Sequence, residues 1–260
     1  PHEEGGLGCV SCHMPFSPER ERSSTVVGSP ERRSRRHDFE AIDLALTEFP
    51  NKERQRILVE RLLDTSLLGE ICVSRLGAIE VTLENAGSGH SWPSGATQDR
   101  EPWLEVRAYT ASGDEVFTTA EPERGIEDTS GVSLLKDTVL DERGEPAHMF
   151  WDVRSVADSS VLLGVKTRDP LDPVYHQERR RFLFNDEQTG TQDIARVTLR
   201  VRFRPIALAV LDDLANSGHL DEEVIDAMPV LDVLPDRCYE PELRERYSAL
   251  LGAAKACDGN

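Results

Sequence analysis

The sequence predicts a mainly β chain with helices, its core an Ig-like antiparallel β-sandwich between about 69 and 205. Three observations carry this. Ile79, Val81 and Leu83 alternate with Glu80, Thr82 and Glu84; Leu104, Val106 and Ala108 alternate with Glu105, Arg107 and Tyr109; Val197, Leu199, Val201 and Phe203 alternate with Thr198, Arg200, Arg202 and Arg204. Turn residues such as Ser112-Gly113-Asp114 and Glu142-Arg143-Gly144 punctuate the stretch. No long helical period separates the strands, which argues against parallel crossovers. Shorter runs at Ile71–Ser74, Val116–Thr119, Met149–Val153 and Val161–Val165 bring the expected count to about seven.

Before the sandwich, residues 1–38 form an arm broken by Gly5, Gly6, Gly8, Pro15, Pro18 and Pro30, with almost no aliphatic periodicity. Such an arm buries too little apolar surface to order itself and needs an external centre. A helical connector is expected from Phe39 to about Leu68, interrupted at Pro50, with Asn51 placed to cap a second helix carrying Ile57, Leu58, Leu62 and Leu63. The first domain is therefore 1–68. Beyond Pro205 the period returns to that of helices: Ile206, Val210, Leu211 and Leu214 end at Gly218, a short helix spans Asp221–Met228, and Pro241 opens a last one with Leu243, Tyr247, Leu250 and Leu251 on one stripe. Residues 206–260 form this third, helical segment.

The 48 acids against 30 bases leave a net charge of −18, which repels nucleic acid and anionic lipid. No run of apolar residues reaches the length of a membrane span. Arg20, Arg22, Arg32, Arg33, Arg35 and Arg36 make a local basic run, read either as a solvated loop or as a partner for acidic groups. No catalytic triad, phosphate-cradling loop or pair of catalytic carboxylates stands out, and Asp141-Glu142-Arg143-Gly144 lacks the alternating oxygen ligands of a calcium loop.

The chemistry concentrates at Cys9-Val10-Ser11-Cys12-His13. Two thiols three residues apart can each form a thioether to a vinyl group of haem, and the adjacent imidazole can reach the iron. A zinc site competes, but it needs a fourth ligand, and Cys72, Cys238 and Cys257 stand alone. A redox dithiol or plain disulfide is the remaining alternative. Covalent haem c implies assembly outside the cytoplasm, hence a periplasmic or extracellular location, and the chain is expected to be a processed product or a piece of something longer. In that compartment Cys238 and Cys257 can bridge, leaving Cys72 a buried free thiol.

A low-spin electron-transfer iron needs a second strong ligand. His37 is the leading candidate, since the arm is long enough to fold back. His2 and His90 are alternatives; His90 sits in the glycine-rich Gly87-Ser88-Gly89-His90-Ser91-Trp92-Pro93, where fixing a turn is an equal reading. Met149 and Met228 have apolar settings that suit packing better than ligation. His148, His176 and His219 read as surface or turn residues.

At three places the residues resemble multihaem c-type cytochromes. Cys9-Val-Ser-Cys-His-Met-Pro15 with the later His37-Asp38-Phe39 resembles the family's CxxCHMP and H-x-F. Asn85 to Gly95, running on through Arg100 to Trp103-Leu-Glu-Val106, is similar to a β-domain attached to such cytochromes, and Arg204-Pro-Ile-Ala-Leu208 with Asp226-Ala-Met-Pro229 resembles that domain's tail. The resemblance implies electron transfer through haem c, with Cys9 and Cys12 holding the porphyrin, His13 on one side of the iron and His37 as distal or neighbouring-haem ligand. It also implies other haems or redox subunits as partners. The chain has one CxxCH, so further haems belong to sequence outside these residues, or this is a single-haem derivative. Two other functions stay open: a recognition or assembly module acting through the β-sandwich with a structural haem, and a haem enzyme with an open iron position. A non-enzymatic electron carrier is the leading expectation.

Overall fold

A computed structural model describes residues 8–37, 39–73, 78–123, 131–183 and 194–239, the last without side chains from 235 onward. The chain divides into two compact units, Pro1–Leu62 and Leu63–Asn260.

The first unit begins with a one-turn helix, α1 (Cys9–His13), followed by a two-stranded ribbon of β1 (Glu21–Arg22) and β2 (Glu31–Arg32). The ribbon register sets Glu21 opposite Arg32 and Arg22 opposite Glu31, so opposite charges face each other across the strands. The chain then returns alongside α1: Phe16 and Arg35 form an antiparallel bridge, flanked by Ser17 N donating to Ser34 O at 2.8 Å and Arg36 N to Pro15 O at 2.9 Å. The arm thus has more regular structure than its composition suggests.

Helix α2 (Lys52–Leu63) is the second connector helix expected after Pro50, with Val59 and Leu63 buried. The first connector helix does not form. Phe39 takes a left-handed φ of 45°, incompatible with a continuous right-handed helix, and the backbone that follows bonds to other groups instead, Ala45 N donating to Gln55 Oε1 at 3.0 Å.

The second unit is mainly β with few helices. Its strands are β3 (Leu68–Val73), β4 (Ala78–Glu84), β5 (Glu101–Thr110), β6 (Glu115–Thr118), β7 (Asp137–Leu140), β8 (Ser155–Ser159), β9 (Gln177–Leu183) and β10 (Ile194–Arg204). Helices α3 (Leu208–Asn216) and α4 (Glu222–Asp226) follow, then β11 (Leu231–Tyr239). All pairings are antiparallel, in a four-stranded sheet ordered β11-β10-β5-β6, a three-stranded sheet ordered β3-β4-β9 and a β7-β8 ribbon. The period-two runs bury one face each: Val81 and Leu83 from β4, Leu104, Val106 and Ala108 from β5, and Val197, Leu199, Val201 and Phe203 from β10 are all essentially inaccessible.

Three of the described glycines mark close approaches: Gly69, Gly87 and Gly164, on the last of which a Cβ would lie 2.8 Å from the His90 carbonyl carbon. A Cβ on Gly69 in β3 would meet Leu234 Cδ2 of β11 at 2.3 Å and Leu199 Cδ2 of β10 at 3.4 Å, which places the three-stranded sheet against the apolar side of the four-stranded one. A Cβ on Gly87 would lie 1.8 Å from the Thr65 carbonyl oxygen.

Several elements differ from the expectation. Met149–Val153 is a turn closed by Asp152 N donating to Met149 O at 2.9 Å, with Phe150 and Trp151 exposed, and Val161–Val165 contributes a single bridge, Leu162 to Trp92. The segment after Pro205, read as helical, contains β11, which pairs with β10 and supplies buried Leu231, Val233 and Leu234. A fragment ending at Pro205 would leave β10 unpaired on that side. The helix expected after Pro241 lies outside the described residues.

The cysteine expectation is also corrected. Cys72 is disulfide-bonded, while Cys9 and Cys12 are free. The Cys238 and Cys257 side chains, expected to bridge, lie outside the described residues.

Gly87→Ala should lower unfolding stability by about 3 kcal/mol or more in urea titrations, because a fixed backbone carbonyl blocks the new methyl. Gly69→Ala should cost less, since its obstacle is a side chain that can swing away; equal costs would contradict the Gly87 contact.

Candidate functional site

The first unit assembles the site. One helical turn puts Cys9 and Cys12 three residues apart on a shared face, both thiols free and exposed. His13 follows, half-buried. Its Nδ1 donates to the carbonyl oxygen of Glu40 at 2.5 Å, and its ring stacks on Phe39 with centroids 4.9 Å apart and planes 16° from parallel. A proton on Nδ1 makes Nε2 the lone-pair nitrogen of the neutral ring.

The donor chemistry fits covalent haem c. The two thiols are reduced and unbridged, which is the state thioether formation needs, and the imidazole is oriented through the nitrogen that a ligand does not use. A zinc site would require these groups to converge on one point, and among the described residues no group of three or more His, Cys, Asp or Glu side chains is arranged to hold a metal ion.

His37 is exposed. The return segment reaches His13 through Phe39 and Glu40, and reaches Pro15 through the Arg36 amide, so His37 lies between two anchored points near the motif without itself being one of the contacts. His2 lies outside the described residues.

His90 belongs to the second unit. Its Nδ1 donates to Ser91 O at 2.9 Å, and its carbonyl accepts from Asn85 Nδ2 at 2.7 Å. Asn85 is fully buried and also donates to Leu162 O at 3.1 Å, while Trp92 and Leu162 exchange two backbone bonds of 2.8 Å and Trp92 packs on Phe203 at 5.9 Å. The glycine-rich loop is thus a structural corner, in which Gly87 admits the Thr65 carbonyl and Gly89 takes a left-handed φ of 71°. Met149 and Met228 are half-buried. His176, expected at the surface, is buried against Tyr175 and within 2.9 Å of Glu84 Oε1. It sits at the end of the loop that feeds β9, whose pairing with β4 closes over it.

Charged groups of the second unit serve the sheet. Glu105 is buried among Arg107, Arg200 and Arg202 at 3.3, 4.0 and 3.9 Å, and burial pushes its carboxyl above the ordinary range. Burial likewise raises Asp99 and lowers the half-buried Lys136 ammonium, the latter against the pull of Glu101 and Asp99.

Sequence reasoning missed Glu40. Its carbonyl orients His13, its Oε1 pairs with Arg36, and its Oε2 is buried without a hydrogen-bond partner beside a cavity of about 340 Å³ lined by Phe39, Phe49, Arg54, Leu58 and Val59. A backbone acceptor has no side-chain signature, so no motif could have named it.

No protein-family model matches the chain, and no curated protein matches it by sequence. Among solved structures, a penta-heme cytochrome c552 from Thermochromatium tepidum is similar at a TM-score of 0.56 and 16% identity, over 92% of this chain and 49% of that one. This chain spans about half the length of that structure. At this identity the similarity is one of fold.

In the haem-free chain, iodoacetamide should modify Cys9 and Cys12 without denaturant and leave Cys72 untouched until reductant is added, read by peptide mass mapping. Labelling of Cys72 in the native, unreduced protein, or protection of Cys9 and Cys12, would contradict the assignment.

Proposed function

We propose that the chain transfers electrons through haem c held by Cys9 and Cys12, with His13 and His37 as the axial ligands of its iron. The observation that carries this is the turn at α1, which exposes two free thiols and an imidazole oriented by the Glu40 carbonyl. When bound, the haem supplies a reversible one-electron iron couple.

The residues of the chain do the rest. Cys9 and Cys12 fix the porphyrin to one helical turn. His13 keeps its proton on Nδ1, at the Glu40 carbonyl, and offers Nε2. Phe39 shields one face of that imidazole from water. Ribbon β1-β2 turns the chain back so that His37 is held between the Arg36 amide and Phe39, a tether short enough for it to serve the same iron or a neighbouring one.

The similarity in fold to a penta-heme cytochrome supports a setting in which this haem exchanges electrons with other haems or with redox subunits. A periplasmic or extracellular location agrees with where haem c is attached; among the described residues no helix is long and apolar enough to cross a membrane. The net charge of −18 disfavours nucleic acid as a partner.

A potentiometric titration of the holoprotein should show reversible one-electron reduction with low-spin bands in both states. His37→Ala should move the iron toward high spin and open it to carbon monoxide, because an emptied axial position takes exogenous ligand. An unchanged spectrum in His37→Ala, with a change in His2→Ala or His90→Ala, would transfer the ligand role to the histidine that responds.

A further inference from the structure

Helix α1 is badly equipped to exist alone. It is five residues long, Gly8 offers no side-chain cap, and Val10 is β-branched, whereas isolated helices need several turns to be stable in water. A helix this short also leaves its last carbonyls without intrahelical donors.

Arg35 adds donors at that end, to the Val10 carbonyl, which also accepts from the Met14 amide, and to the carbonyl of the C-cap residue Met14. Its Nη1 donates to Val10 O at 2.9 Å and to Met14 O at 3.0 Å, from 25 and 21 residues away in sequence. The same guanidinium sits 4.1 Å above the Phe16 ring, and the Phe16 and Arg35 backbones are bridged. One planar group therefore ties the C-terminal carbonyls of α1 to the returning strand, stacks on an aromatic face, and brings positive charge to the negative end of the helix. A lysine ammonium has the charge and the donors without the plane that stacks on Phe16. Arg33, two residues away, donates to Ser17 O at 2.9 Å, outside the helix, and lies 5.7 Å from the Phe16 ring.

We propose that Arg35 is a positioning residue that pre-forms the Cys9–His13 turn, so that both thiols and the imidazole are presented together for haem attachment. This rests on the reading of the turn as a covalent haem site. Each attachment adds a cysteine S–H across a vinyl C=C: the S–C bond forms, the hydrogen passes to the neighbouring vinyl carbon, and nothing leaves. The step needs no oxidant, so what the protein contributes is geometry.

The full chain, expressed in a host competent in haem attachment, is compared as wild type, Arg35→Ala, Arg35→Lys and Arg33→Ala. Arg35→Ala should carry about tenfold less covalent haem per chain, the order expected for losing charge-assisted hydrogen bonds at a short turn. Arg35→Lys should recover only part of it, Arg33→Ala should match wild type, and the haem that does form in Arg35→Ala should show a shifted midpoint potential. In the haem-free chain, the Met14 amide, which donates to Val10 O, should exchange about tenfold faster in Arg35→Ala than in Arg33→Ala. Exchange at the Gln55 amide of α2, which donates to Asn51 O in the same unit, reports whether each variant has folded; if Arg35→Ala has not, Arg35→Lys decides by the same readings. Wild-type haem loading and unchanged Met14 exchange in the Arg35 variants would overturn the proposal. A wild type without haem would defeat the functional reading instead, while the Met14 exchange would still decide whether Arg35 forms the turn.

Discussion

The hydrogen bond from His13 Nδ1 to the Glu40 carbonyl joins segments 27 residues apart, and the organisation of the first unit around its motif depends on it. The arm is rich in glycine, proline and charge and has little apolar surface to bury. What orders it is a small number of directional contacts closing one loop: that bond, the stack of Phe39 on His13, the Phe16–Arg35 bridge and the amide of Arg36 on Pro15. His13 is held there through Nδ1, so the contact that folds the arm also fixes the orientation of its ring.

The second unit depends on a different constraint, the central strand β10. Its eleven residues pair with β5 on one side and β11 on the other and carry four apolar side chains on one face. That pattern is strict because β10 is buried on one side and salt-bridged on the other, where Arg204 pairs with Glu101 and Arg202 approaches Asp232 at 3.2 Å. A strand so placed writes its environment into its sequence, and β4, β5 and β10 were accordingly legible.

Strands that bury little were not. β9 reads Gln-Glu-Arg-Arg-Arg-Phe-Leu and lies at a sheet edge, and β8 is exposed throughout, so neither shows apolar alternation. β11 was passed over because Pro235 interrupts its run; its place is set by the partner β10 and not by local preference. Phe150 and Trp151 produced the opposite error, since bulky apolar residues suggested a strand where the chain makes an exposed turn. In the site, the residues with a chemical signature, Cys9, Cys12 and His13, could be named from spacing. Glu40 acts through its backbone and Arg35 through carbonyls more than twenty residues away, and neither leaves a pattern in sequence. In the glycine-rich loop at Gly87, only the fold shows that the backbone meets the Thr65 carbonyl.

Electron transfer by this chain requires that the Cys9–His13 turn hold haem covalently. The direct measurement is the mass of the denatured protein, produced in a host competent in haem attachment, followed by peptide mapping. One added haem per chain is expected, retained after acidic organic extraction and localised to the peptide containing Cys9 and Cys12. A chain of unmodified mass, with both cysteines recovered as free thiols, would contradict it.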